Sequence, residues 1–296
     1  MKLSSDSENI QSTSTTTKEQ TILSEEKSET LKGVEEKRDE KVTPRCAVCG
    51  ESILADEPLG SADAEQWSIY NATHDRLCLK HFRIEYEKLK LRWRLQDVER
   101  RLVCAGVSVK FSNRSFENFV LNESNRHLFS IVKQWADHPY SFLSILSKHT
   151  GIGKTHLAIA SLRQYYISSG VLGRFRKERD VLLQIRKGYI THGSPTEDEI
   201  IDSLSKPEML VFDDLFSFVD SREGKEFSRR IALALVDERE WQGRTTIVTG
   251  NLTLSEITGI DPRIASRLSA GIVLNVQSVD KDFRPSLNQA KLVGSQ

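Results

Sequence analysis

The sequence predicts an α/β fold in which a parallel sheet carries helices on both faces, preceded by a small metal-binding module and a disordered N-terminal tail. Three observations predict it. Beyond Gly106, short apolar runs alternate with helical stretches, most of ten residues or more, which is the pattern of βαβ units. One of those runs leads into a glycine-bearing turn and then a helix, the local context of a phosphate-binding loop. Upstream, Cys46-Ala-Val-Cys49 and Cys78-Leu-Lys-His81 form two ligand-type pairs.

Residues 1–44 are rich in Ser, Thr, Lys and Glu and contain no aromatic residue. Such a segment cannot bury enough apolar area to offset an ordering cost of about 1–2 kcal/mol per residue. It is expected to be a disordered tail. The remaining 45–105 and 106–296 are expected to be a zinc-binding module with a basic helix and an ATP-binding domain. Lys+Arg and Asp+Glu balance at 42 each, so any nucleic-acid surface must be a local patch. The start MKLSSDSENIQS has no apolar core of a secretory signal, and no apolar run is long enough to cross a bilayer. Four cysteines in 296 residues do not make a disulfide scaffold. A cytoplasmic address without membrane contact is the expectation.

Within the module, each ligand pair is separated by two residues, which lets two side chains reach one ion from a tight knuckle. Three thiolates and an imidazole suit tetrahedral Zn²⁺. The 28 residues between Cys49 and Cys78 exceed the commoner ribbon interval, and His74 competes with His81 as fourth ligand. Cys104 is left over and expected to be buried. Arg83–Leu102 reads as a helix in which Ile84, Leu91 and Val98 recur every seven residues, with Leu95 and Leu102 four further on. That narrow seam is expected to pack on another helix. Its arginines and lysines are interspersed with Glu85, Glu87, Asp97 and Glu99, so a solvated face is favoured over a nucleic-acid strip or a docking helix.

Strands are expected at Ser141–Leu146, Leu172–Phe175, Met209–Phe212 and Thr246–Thr249, with a weaker fifth at Val273–Val276. After the first comes Lys148-His-Thr150-Gly151-Ile152-Gly153-Lys154-Thr155, then a helical run opening at His156. Backbone N–H groups at that helix start would face phosphates, and the glycines let the main chain approach closely. Lys154 would neutralise the β and γ phosphates of ATP, and the Thr155 hydroxyl would ligate Mg²⁺. Lys148 stands where such loops carry their first glycine; it costs about 1–2 kcal/mol if the backbone there is left-handed and little otherwise.

Met209-Leu-Val-Phe-Asp213-Asp214 ends a buried-strand run in two carboxylates. Beside the loop, Asp213 can hold the magnesium shell and Asp214 can orient an attacking water. Thr246-Ile-Val-Thr-Gly-Asn251 ends another strand in an amide able to bond γ-phosphate and water, though an Asn there also suits a plain turn. Asp261-Pro-Arg263-Ile-Ala-Ser-Arg267 places two guanidinium groups four residues apart on one helix face, and Arg284 follows in Asp282-Phe-Arg284. Such groups grip phosphoryl oxygens bidentately.

The set GIGKTHLA, MLVFDDL, TTIVTGNLTLSEI, DPRIASRL and KDFR, in that order, resembles the AAA+ ATPases of the DnaC type. That group includes replicative-helicase loaders and IstB-type transposition ATPases. The resemblance covers about Phe111 to Arg284, with the lead-in Ser115-Phe-Glu-Asn-Phe119. It implies an ATPase assembled as a homo-oligomer, with ATP at subunit interfaces; slow, partner-stimulated turnover is expected from the departures at Lys148 and Gly250. Lys154, Thr155, Asp213 and Asp214 match the loop and acid positions. Asn251 matches the first sensor, Arg267 the finger reaching a neighbour's site, and Arg284 the second sensor. Lys148 departs from the pattern, as does Gly250, where the family usually has Ser. The favoured reading is a helicase loader contacting single-stranded DNA. The alternatives are a transposase helper acting on duplex DNA, and a nucleotide-responsive zinc-bearing adaptor without significant turnover.

Overall fold

The computed structural model describes residues 44–53, 67, 71, 76–191, 193–217 and 221–276. The expected tail (residue 44 apart), His74 and Arg284 lie outside them. The chain divides into two compact units, Met1–Tyr86 and Glu87–Gln296. The division falls inside the long helix α1, Leu79–Ala105.

In the first unit, a turn brings the Gly50 N–H to the Cys46 carbonyl at 2.9 Å, with Gly50 left-handed at φ 72°. Arg45 and Ser52 form an antiparallel bridge across it. The Ala47 N–H reaches the Arg76 carbonyl, joining this turn to the segment that carries Cys78. Cys46, Ile53, Leu77, Cys78 and Phe82 form a small core, and Trp67 Nε1 donates to the Leu77 carbonyl at 3.0 Å.

The second unit is built on five parallel strands: β1 (Phe142–Leu146), β2 (Arg174–Lys177), β3 (Met209–Leu215), β4 (Thr245–Gly250) and β5 (Ile272–Asn275). Their order across the sheet is β2-β3-β4-β1-β5. All pairings are parallel, so every carboxyl end lies on one edge, where ligands of open α/β sheets bind. Successive side chains alternate between faces. Leu143, Ile145, Met209, Val211 and Ile247 enter one core, together with α2 (Glu123–Asp137) and α3 (Lys154–Ser169). Phe142, Leu146, Leu210, Phe212 and Val248 enter the other. That face is covered by α4 (Glu178–Gly188), α5 (Glu197–Ser205), α6 (Arg222–Trp241), α7 (Leu254–Ile260) and α8 (Pro262–Leu268). The result is the expected three-layer domain.

Each expected strand overlaps an observed one: β2 lies two residues later than expected, and β3 runs three residues beyond Phe212, to Leu215. At β2 the apolar run misleads: Leu172 packs against the core from a loop, while the edge strand that pairs only with β3 is Arg-Phe-Arg-Lys. The seam of α1 is buried only at its end. Val98 and Leu102 are 1% and 0% exposed, whereas Ile84, Leu91 and Leu95 are 45%, 44% and 51% exposed. The expectation that the whole seam packs is therefore corrected. Cys104 is exposed rather than buried, because Leu102 and Ala105 face the core and the two residues between them, Val103 and Cys104, point away.

Candidate functional site

The phosphate-loop sequence leaves the carboxyl end of β1. Ser147 anchors it: its N–H donates to the Gly250 carbonyl and its hydroxyl to the Val276 carbonyl at 2.8 Å. Gly151 and Gly153 adopt φ of 78° and 98°, a region that favours glycine. A Cβ on Gly153 would come within 2.4 Å of the Phe119 ring, so the lead-in segment packs directly on the loop. Thr150 is exposed at the tip, and Ile152 is buried beneath it. Lys148 is absent from the left-handed residues, so the turn takes lysine without backbone strain. Its Nζ lies 2.8 Å from Glu256 on α7, which holds the Glu256 carboxyl well below the usual carboxylate range.

Lys154 is the first residue of α3 and is buried, with Nζ donating to the Ser147 and His149 carbonyls at 3.0 and 2.8 Å. The Thr155 hydroxyl donates to Asp213 Oδ1 at 2.8 Å. His156 faces the lead-in segment instead, with Nε2 2.8 Å from the Ser115 carbonyl and its ring edge-on to Phe119. Burial lowers its pKa to about 4, so it is neutral at pH 7.

Asp213 and Asp214 end β3 on the same edge. A second hydroxyl, Thr249, donates to Asp213 Oδ1 at 2.7 Å and accepts from the Asp214 N–H at 3.0 Å. Burial raises the Asp213 carboxyl above its ordinary pKa, against the Thr249 and Thr155 donors that stabilise its ionised form. Asn251 Nδ2 donates to Asp214 Oδ1 at 2.9 Å. The register with β4 runs Phe212–Val248 and then Leu215–Gly250, so β3 holds one extra residue there. Asp214 (φ 68°) and Phe216 (φ 59°) are left-handed without being glycine. An extra residue of this kind re-aims a side chain. Asp214, Asn251, Lys177 and Phe111 line a cavity of about 900 Å³.

The structure thus joins Thr155, Asp213, Asp214 and Asn251 in one hydrogen-bonded set by way of Thr249. Arg267 stands apart, its Nε within 2.6 Å of Asp237 and 2.7 Å of Glu240 on α6. Arg263 is turned back onto Asp261, the N-cap of its own helix α8. Two residues escape sequence reasoning. Thr249 carries a usable signal, a hydroxyl directly after the apolar pair Ile247-Val248 and two positions before Asn251. Glu178 carries none: it is a single acid after a basic strand, yet it is fully buried, and burial pushes its carboxyl up to about 7.

In the first unit, Cys46, Cys49, Cys78 and His81 bring their ligand atoms within 4.8 Å of one another. Cys49 and Cys78 sulfurs are 3.8 Å apart, and His81 Nδ1 is 3.6 Å from Cys46 and 3.2 Å from Cys78. Tetrahedral Zn²⁺ with its usual bond lengths calls for about 3.8 Å between two thiolates and about 3.6 Å between thiolate and imidazole. The donor set fits a structural zinc site.

Residues 111–275 match the family described as the bacterial DnaA ATPase domain. The chromosomal replication initiator protein DnaA of Onion yellows phytoplasma is 26% identical over 195 residues, covering 60% of this chain and 35% of that protein. The replicative helicase loader DnaC of Buchnera aphidicola is 25% identical over 173 residues, covering 57% of this chain and 68% of that protein. The chain spans about a third of the length of the initiators it matches. Domain III of the Thermotoga maritima initiator superposes with a TM-score of 0.50 at 19% identity, covering 62% of this chain and 76% of that one, a likeness of fold. Among the described residues no helix is long and apolar enough to cross a membrane.

Proposed function

Because this chain belongs to the bacterial DnaA ATPase-domain family of AAA+ proteins, we propose that it binds and hydrolyses ATP and acts in DNA replication as a helicase loader. The single observation that carries the ATPase reading is the hydrogen-bonded set Thr155–Asp213–Thr249 and Asp214–Asn251 at the carboxyl edge, in which Thr155 directly follows Lys154. Lys154 holds the β and γ phosphates, and the backbone of Thr150–His156 cradles them. Thr155 and Asp213 would hold Mg²⁺, which would supply positive charge against the phosphates. Asp214 orients the attacking water, and Asn251 keeps that carboxylate in register and touches the γ-phosphate. Arg267 leaves Asp237 and Glu240 to reach a neighbouring copy's site in a homo-oligomer. Arg284 acts in its own subunit.

The loader role is supported by coverage: the match spans two thirds of the Buchnera loader but a third of the initiators. It also fits an added module, 45–105, ahead of the ATPase domain 106–296, gripping a replicative helicase while the ATPase domain contacts single-stranded DNA in the cytoplasm. Turnover is slow and raised by the partner. The test has two parts. Mg-ATP should raise the melting temperature of the full chain, and Lys154→Ala should lose that shift; a shift retained in the variant removes the reading. Asp214→Asn should keep the shift and lose phosphate release. A pull-down with ATP or a non-hydrolysable analogue then separates the partners. Capture of a helicase supports the loader, capture of a transposase replaces it, and an ATP-dependent capture without turnover leaves an adaptor.

A further inference from the structure

We propose that Glu178 is a positioning residue for hydrolysis: its buried carboxyl holds the irregular turn after β3 in the conformation that aims Asp214 at Asn251. The inference rests on the reading of Asp214 as the hydrolytic acid. Glu178 is the first residue of α4, at the carboxyl end of edge strand β2, and is 0% exposed. Its Oε2 accepts from the Phe216 N–H at 2.7 Å and its Oε1 from the Ser228 hydroxyl of α6 at 2.5 Å. One carboxyl therefore ties β2, the β3 turn and α6 together.

The turn needs such a tie. Asp214 and Phe216 both sit at positive φ, and a bulky residue holds that conformation only when its surroundings impose it. The near end of the turn is fixed by the Asp214 N–H on Thr249 and by the Asn251 amide on Asp214 Oδ1. Its far end is fixed by Glu178 on the Phe216 N–H. Were that bond lost, Phe216 could relax to an ordinary backbone, and Asp214 would lose the direction that the extra residue in β3 gives it. Glu178 does not line the cavity that holds Asp214 and Asn251. It acts through the backbone.

Reach, not charge, is what the role requires. Glutamine at this position still accepts from the Phe216 N–H and can donate to the Ser228 hydroxyl. Aspartate keeps the charge but is one methylene short. On the full chain, Glu178→Gln should therefore keep kcat near the wild-type value. Glu178→Asp and Glu178→Ala should lower kcat by about 10- to 100-fold, the scale expected when a reacting group is misplaced by an ångström, with KM and the ATP-induced thermal shift unchanged. Ser228→Ala should lower the melting temperature and spare kcat. If Glu178→Ala does not fold, the Asp and Gln variants decide. Wild-type kcat in Glu178→Asp would overturn the proposal, as would Ser228→Ala lowering kcat as much as Glu178→Asp. A wild-type chain that neither hydrolyses ATP nor shifts with it would instead remove the nucleotide reading, and this proposal with it.

Discussion

Glu178 is buried and His156 half-buried, and their pKa values move in the directions that favour the neutral form of each. Burial raises the Glu178 carboxyl to about 7, so the folded state binds more protons than the unfolded chain between about pH 4.5 and 7. Its stabilising contribution is full below that window and lost as pH rises through it. The opposite holds for His156, lowered to about 4. Its contribution is present above about pH 6.5 and lost as pH falls. The two slopes oppose each other in the wild type, so single substitutions should expose them. The Glu178→Gln minus wild-type stability difference should grow from pH 5 to pH 8 by an amount of order 3 kcal/mol, read by urea unfolding; a flat difference would refute it. Arg239 is a buried charge. Its guanidinium donates to Thr246 Oγ1 and to the carbonyls of Leu204, Ser205, Pro207 and Thr245, joining the end of α5 to the start of β4. Burial lowers its pKa to about 9, which leaves it charged at pH 7. Arg239→Lys cannot span five acceptors with one ammonium, and should cost at least about 2 kcal/mol by the same measurement.

At the scale of elements, α1 gives a direct contrast. Leu102 is fully buried and Leu91 is 44% exposed on the same sequence seam. Leu102→Ala should cost about 2–5 kcal/mol, and Leu91→Ala less than about 0.5 kcal/mol. Equal costs in thermal unfolding would mean that the outer half of the seam is covered in solution. This contrast also marks what the sequence can carry. A seven-residue repeat reports that a stripe is apolar; it does not report where the covering core ends. The central strands were legible because continuous apolar runs are what buried parallel strands require. Edge strand β2 was legible only to within two residues, since a strand with one partner needs few apolar residues. The loop, the paired acids and Asn251 were legible because each is tied to a strand end. Glu178 was not, because its contacts are 38 and 50 residues away and leave no local pattern.

For the whole molecule, the two units pose different stability problems. The second has a two-sided core spanning five strands. The described core of the first is five side chains, two of them cysteines from the candidate metal set. So small a core rarely sustains a fold unaided, and a metal ion is the usual staple. Purified chain should accordingly carry about one equivalent of zinc. Cys49→Ser should lower that occupancy, and acidification should release the ion as thiolates and imidazole take up protons. Because the contacts described for Lys154, Thr155 and the paired acids lie in the second unit, the ATP-induced thermal shift should survive a strong chelator. Less than half an equivalent of zinc would reduce the cysteines to a thiol cluster, and loss of the ATP response together with the metal would show that the nucleotide site depends on the module ahead of it.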